Sequence, residues 1–308
     1  MSGEIVILGV FVADTTFRAD RQPRMGETLL GRSFALGPGG KGSNQVVAAA
    51  RAGGRVRLVT RLGVDAFAEM ARAVWEEAGI VADVAQDPQS YTGAAYIFVE
   101  EASGDNAIII APGAAARIDE ADIEARRAAI EGARLFMTQL EQPIPAARHA
   151  LAIARAAGVR TILVPAPAAP LDDDLLATCD ILTPNETEAE GLTGIAVADL
   201  AGAERAADAL LGRGVGAVVV TLGERGALYR DRATSVHVPA FRVGPVVETT
   251  GAGDCFAGAF AVALAEGRDP VAAVCFGCAA AGLSVTRPGT APAMPTRAEI
   301  DRVLAGAS

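Results

Sequence analysis

The sequence predicts an α/β fold: a mainly parallel central sheet with helices on both faces and a small second β-sheet as a lid. Three observations lead there. Runs that are apolar throughout, such as Ile5-Val6-Ile7-Leu8, Leu135-Phe136-Met137 and Ala217-Val218-Val219-Val220, alternate with segments of helical period, as in strands buried on both faces. Two β-rich runs, 92–100 and 106–111, flank Glu101-Ala102-Ser103-Gly104-Asp105 and read as a hairpin that interrupts the strand and helix series. Almost every polar residue of chemical interest follows a strand, so one edge of the sheet collects them.

Taken in order, Glu4 to Val10 is the first strand, and it reads as a strand rather than a signal peptide because no basic region precedes it. Residues 11–30 lack helical period and predict short strands; Asp14 sits where the first strand ends, the edge at which ligands collect, though on position alone it reads first as a turn-forming aspartate. A helix over 44–52 is stopped by Gly53-Gly54, and another over 66–78 turns Phe67, Met70, Ala71, Val74 and Ala78 to one face before Gly79. Trp75 on that helix is expected to pack in the core. Strands follow at 135–140, ending at Glu141, and at 159–164, with a helix over 146–157 between them. Thr183-Pro184-Asn185-Glu186 reads as a capping box with proline at the first helical position, and Glu188 shares a face with Asn185. The strand 217–220 ends in Thr221-Leu222-Gly223, a hairpin spans 226–239, and helices are expected from Asp254 to about Glu266 and from Pro270 to about Thr286.

At 308 residues the chain suits one large domain, or a domain carrying a smaller one. No apolar run reaches the ~18 residues that a membrane span needs. A net charge of −10 argues against nucleic acid as a partner, and two histidines and four cysteines offer few soft metal ligands. A cytoplasmic, reduced enzyme without a membrane partner is the expectation. Of the 27 basic residues 26 are arginine, and the one lysine, Lys41, lies in Gly37-Pro38-Gly39-Gly40-Lys41-Gly42-Ser43-Asn44. A compact ammonium is not replaceable by a guanidinium where a point charge must meet phosphate, so this position favours a functional role.

That run satisfies the dinucleotide pattern Gly-x-Gly-x-x-Gly but does not directly follow the first strand, and Ala35 and Gly42 break the phosphate-loop pattern. The second glycine stretch is Glu248-Thr249-Thr250-Gly251-Ala252-Gly253-Asp254. A turn into a helix leaves amide groups that favour an anion, beside an aspartate able to take a proton; the competing reading is that Asp254 only caps the helix. Asn185 and Glu188 together suit metal-bound water or phosphate, or else form an exposed polar turn. Cys275-x-x-Cys278 reads as core packing, and His149 lies far from any nucleophile pattern. Together the parts suit phosphoryl transfer under a lid.

In these two signatures, Gly39 to Gln45 and Glu248 to Asp254, the chain resembles the ribokinase (PfkB) family of carbohydrate kinases, with similarity from the first strand to about Ile300. The resemblance implies a ribokinase-like fold with residues 1–12, 39–90 and 112–308 as the main unit and 13–38 and 91–111 as the lid. It implies ATP-dependent phosphorylation of ribose at O5, or of another small sugar or a nucleoside. Asp254 would be the base and Gly251, Ala252 and Gly253 the anion hole. Asp14, Gly40, Lys41, Asn44 and Glu141 would bind the sugar, and Asn185, Glu188, Thr221, Gly223, Gly253 and Cys278 would serve the nucleotide and Mg²⁺. K⁺ would lie near Glu248, Thr250, Ser284, Arg287, Gly289 and Ala293, and the lid sheets would form a homodimer. Glu248 stands where the family usually has aspartate and Ala293 where serine is frequent, which puts K⁺ in question.

Overall fold

The structure, a computed structural model, describes residues 3–306; the outermost expected bounds of the main unit, residues 1 and 308, lie outside that range. Its strands are β1 (Ile5–Leu8), β2 (Val12–Ala19), β3 (Ser33–Gly39), β4 (Val56–Leu62), β5 (Val81–Gln86), β6 (Thr92–Glu100) and β7 (Asn106–Gly113). They continue with β8 (Leu135–Thr138), β9 (Arg160–Leu163), β10 (Ile181–Leu182), β11 (Ala217–Thr221), β12 (Ala227–Arg230) and β13 (Ser235–Val238). Nine form one sheet in the order β13-β12-β11-β10-β9-β8-β1-β4-β5. It is parallel from β11 to β5, and at the other edge β12 alone is reversed, so that it pairs antiparallel with both β11 and β13.

The apolar strands divide their side chains between two cores, as alternation along a strand requires. Ile5, Ile7, Leu135, Met137 and Val219 face the helices Lys41–Arg51, Ala252–Ala265 and Pro270–Ser284. Val6, Leu8, Phe136, Val218 and Val220 face the helices Ile144–Ala156 and Leu200–Gly212. Each such fully buried side chain contributes about 1.5–3 kcal/mol. Trp75 is fully buried, with its ring 5.9 Å from Phe11 in an edge-on contact, as its packing role predicts.

The remaining strands form the small sheet β3-β2-β6-β7. Register sets Phe17 beside Phe34 and Phe98, and Thr15 beside Leu36 and Tyr96, so one sheet face is strongly apolar. Asp65 ties this sheet to the main body: it accepts from the Thr92 amide at 2.7 Å and from Ala68 at the start of the helix Ala66–Glu77.

Several boundaries differ from expectation. The helix expected from Asn44 starts at Lys41, because Gly40 adopts φ 86° and turns the chain three residues earlier. The helix expected from Asp254 starts at Ala252 with Gly251 as its cap at φ 79°, so Asp254 lies inside the first turn and caps nothing. The capping box of the helix Glu186–Thr193 is Asn185 with Glu188, and Pro184 precedes the cap instead of occupying the first helical position. Asn185 is extended, and its side chain accepts from the Glu188 amide, so the register moves two residues along the chain.

Candidate active site

Three glycines press the start of the Lys41 helix onto the ends of β1 and β2. A Cβ at Gly39 would collide with the Asp14 carboxylate, one at Gly40 would stand 2.6 Å from the Val10 carbonyl oxygen, and one at Gly42 2.5 Å from Gly9 Cα. This approach turns the Lys41 amide to Glu141, whose Oε2 accepts from it at 2.8 Å. Ser43, from the same run, accepts from Trp75 Nε1 at 3.0 Å and is thereby committed to the core.

The cradle helix Ala252–Ala265 packs on the Lys41 helix where a Cβ at Gly258 would stand 2.5 Å from the Gln45 carbonyl oxygen. Side chains then meet across the contact. Asn44 Nδ2 donates to Asp254 Oδ2 at 3.0 Å, and Gln45 Nε2 donates to Oδ1 at 2.9 Å. Burial raises the proton affinity of Asp254, while Lys41, Asn44 and Gln45 oppose the rise. Asp14 is pushed up to about 6 by burial and by the charge of Asp254. Glu141 is pushed up to about 7, again by burial, against the pull of Lys41. Burial also works against the Lys41 charge, yet Asp254, Glu141 and Glu188 outweigh it and hold the ammonium protonated.

Asp14, Gly40, Lys41, Asn44, Glu141, Glu188 and Asp254 are thus brought to one place. Asn185 and Glu188 clasp one another: Glu188 Oε2 and Oε1 accept from the Asn185 backbone amide and Nδ2, each at 2.9 Å. Burial raises Glu188 above the usual carboxylate range. Asn185 also bridges Thr221 at the end of β11, and Gly223 follows at φ 55° with open space around it. At the cradle, Gly253 has nothing within 4 Å of where a Cβ would be.

Three of the residues expected around a monovalent ion have side chains bonded within the protein. Glu248 Oε2 accepts from the Gly289 amide at 2.8 Å, Arg287 pairs with Glu299, and the Ser284 hydroxyl donates to the Ala281 carbonyl. Ala293 is buried and follows Thr290, whose hydroxyl donates to the Pro38 carbonyl at 2.8 Å. Cys278 lies in the core with its thiol pushed up to about 12 by burial, and Cys275 packs against the same cluster. His149 bonds Glu124 at the surface.

Two further residues stand at the centre, Gln45 and Gln139, which lie in runs that match the family but have no chemical role assigned from sequence. Gln139 Nε2 donates to Gln45 Oε1 at 2.5 Å, behind Asp254. Their sequence signal is membership of those runs: Gln45 closes the signature that begins at Gly39, and Gln139 opens Gln139-Leu140-Glu141. A buried carboxylate with both oxygens held, beside an open helix N-terminus and an ammonium, can take a proton while the amides hold an anion.

The pfkB family carbohydrate kinase model matches residues 2–297. A ribokinase of Haemophilus influenzae is 38% identical over 300 residues, covering 97% of each chain. A deoxyribokinase of Salmonella typhimurium is 37% identical over 303 residues, covering 98% of each. Among solved structures, an Arabidopsis thaliana ribokinase complexed with ribose and ATP superposes with a TM-score of 0.93 at 31% identity, covering 99% of both chains. With its two glycine signatures at one site of a sheet and lid fold, and with the family model spanning nearly its whole length, this chain belongs to the pfkB family of carbohydrate kinases.

Proposed function

We propose that the protein transfers the γ-phosphoryl group of ATP to the 5-hydroxyl of D-ribose, giving ribose 5-phosphate and ADP. The observation that carries the chemistry is Asp254, a buried carboxylate fixed by Asn44 and Gln45 beside Lys41. The ribokinase relatives, and the ribose and ATP bound by the Arabidopsis protein, support the choice of sugar and phosphoryl donor. Asp254 takes the hydroxyl proton as the oxygen attacks the γ-phosphorus and the bond to ADP breaks. The amides of Gly251 and Gly253 hold the charge that develops on the transferring group, while the Ala252 amide closes the turn onto the Thr249 carbonyl at 3.2 Å. Asp14, Gly40, Lys41, Asn44 and Glu141 bind the sugar hydroxyls; Asn44 Oδ1, buried and unpartnered, is an acceptor that a hydroxyl would satisfy. Thr221, Gly223 and Cys278 belong to the nucleotide side.

Mg²⁺ fits the residues present. Among the described residues no cluster of three or more His, Cys, Asp or Glu forms a metal cage, and this ion keeps waters and phosphate ligands around one or two carboxylates. Glu188, oriented by Asn185, supplies such a carboxylate. Bound there, Mg²⁺ would neutralise phosphate charge. For K⁺ the donors are main-chain carbonyls near Thr250, Ser284, Arg287 and Gly289; the Glu248 carboxylate is engaged by Gly289, and Ala293 has no side-chain oxygen.

The units 1–12, 39–90 and 112–308 as body and 13–38 and 91–111 as lid belong to the same proposal, as does a homodimer through the lid. Phe17 is 41% exposed and Phe34 57%, with their ring centroids 5.0 Å apart, an apolar face that a second copy would cover. A cytoplasmic location is part of it too; no described helix is long and apolar enough to cross a membrane. A second reading, 2-deoxyribose as substrate, has the Salmonella relative in its favour. ATP consumption measured over ribose, 2-deoxyribose, fructose and nucleosides, with and without K⁺, separates these: ribose is expected to lead, and a nucleoside preference overturns the proposal. Sedimentation of Phe34→Asp against the parent tests the dimer.

A further inference from the structure

Behind Asp254 runs a line of buried amides. Gln142 Nε2 donates to Thr138 Oγ1 at 2.7 Å and to the Gln139 carbonyl at 2.6 Å, Gln139 Nε2 donates to Gln45 Oε1 at 2.5 Å, and Gln45 Nε2 donates to Asp254 Oδ1 at 2.9 Å. Gln45 and Gln139 are 0% exposed, whereas Asn44, on the other carboxylate oxygen, is 5% exposed.

The direction of this line is fixed from the carboxylate end. A carboxylate accepts only, so Gln45 must turn its NH₂ to Asp254 and its carbonyl away. That carbonyl then needs a donor, and Gln139 provides one. Were Gln139 reversed, two carbonyl oxygens would face each other; were both reversed, the Gln45 oxygen would meet the Asp254 carboxylate. Gln139 keeps this orientation even though its own Oε1 is left buried and unpartnered beside Gly9. An unpaired buried acceptor costs about 1–3 kcal/mol, so the orientation is being held against a cost.

We propose that Gln45 and Gln139 are positioning residues for the Asp254 base. They pin Oδ1 from the protein side and leave Oδ2, beside Asn44, as the oxygen that takes the substrate proton. Because Gln139 and Glu141 share the segment after β8, the same segment holds the start of the Lys41 helix and aims the base. Occupation of the sugar site and orientation of the base are thereby linked through one stretch of backbone. This inference rests on Asp254 being the general base.

The test is the steady-state kinetics of Gln45→Met and Gln139→Met, which keep volume and remove the amides, with full pH profiles. For Gln45→Met, kcat is expected to fall about tenfold or more while the KM for sugar stays within about threefold. The acid limb of its kcat profile should move to higher pH, because a donor to the charged base is gone. Gln139→Met should shift the limb the same way with a smaller fall. The double variant should be no worse than Gln45→Met, since both act through one line. Unmoved limbs in both variants, multiplicative losses, or a KM rise at constant kcat would each overturn the inference. If Gln45→Met does not fold, Gln139→Met carries the test alone, since it touches Gln45 and not Asp254. Asp254→Asn assayed alongside separates the two levels. Turnover surviving in it sinks the base itself, whereas its loss together with unmoved limbs in the glutamine variants sinks only the positioning role.

Discussion

Two helices begin at this site in the same way and are used in opposite ways. Both open on a glycine of positive φ, Gly40 at 86° and Gly251 at 79°, and neither has a side-chain cap. At the Lys41 helix the protein fills the N-terminus itself: Glu141 takes the Lys41 amide, the Ser43 amide bonds the Val10 carbonyl, and a Cβ at Gly40 or Gly42 would strike backbone. At the cradle helix nothing stands within 4 Å of a Cβ position on Gly253. A helix N-terminus attracts anions in either case. The first has its anion built in and serves as scaffold; the second is open to one from outside.

Breaking the second terminus should therefore cost turnover, and breaking the first should cost stability. The largest effect is expected for Asp254→Asn, with turnover reduced by about 10²–10⁴ and sugar affinity nearly kept, checked by kinetics and by calorimetric titration with ribose. Next comes Gly40→Ala, which places a Cβ 2.6 Å from the Val10 oxygen at a left-handed φ and should lose about 3 kcal/mol or more in denaturant unfolding. Gly253→Ala is the matched contrast. With open space around it, unfolding should change by less than about 1 kcal/mol, while kcat falls because the methyl stands where phosphate must approach. Equal stability losses in the two glycine variants would remove the distinction.

This contrast also shows what the sequence could tell. The apolar runs at Ile5–Leu8 and Ala217–Val220 declare a sheet covered on both faces, because every side chain along them must be buried. The lone lysine and the two glycine stretches announce the site, since glycine and a compact ammonium are hard to replace there. Helix starts were less legible. Gly251 caps through backbone conformation, which leaves no capping side chain to read, so Asp254 looked like the cap. What Gln45 and Gln139 do was illegible for another reason: Gln45 meets Asp254 from 209 residues away and Gln139 meets Gln45 from 94, and only packing brings the amides to the carboxylate. Glu248 stands out in sequence as a departure from the family, but that its carboxylate reaches the Gly289 amide depends on how two loops meet.

The smallest effect concerns the built-in anion. Glu141 is raised from 4.5 to about 7 and Asp14 from 3.8 to about 6, chiefly by burial. Between the unfolded and folded values the folded chain holds protons that the unfolded chain has lost, so the stability of the ligand-free protein falls as pH rises through that window. Its Tm should drop from about pH 4 to about pH 7 on this account. Carboxylates paired with arginine have the opposite sign but do not interfere: Glu299, held at about 2 mainly by Arg287, is ionised in both folded and unfolded chains over most of the range. Glu141→Gln keeps an acceptor for the Lys41 amide and removes the titration, so it should flatten the upper part of the slope and leave the fold intact. Asp14→Asn should flatten the lower part. A Tm slope identical to the parent in Glu141→Gln would mean that Glu141 is already ionised at low pH. The first helix N-terminus would then hold a full charge throughout, and its difference from the second would be one of occupancy alone.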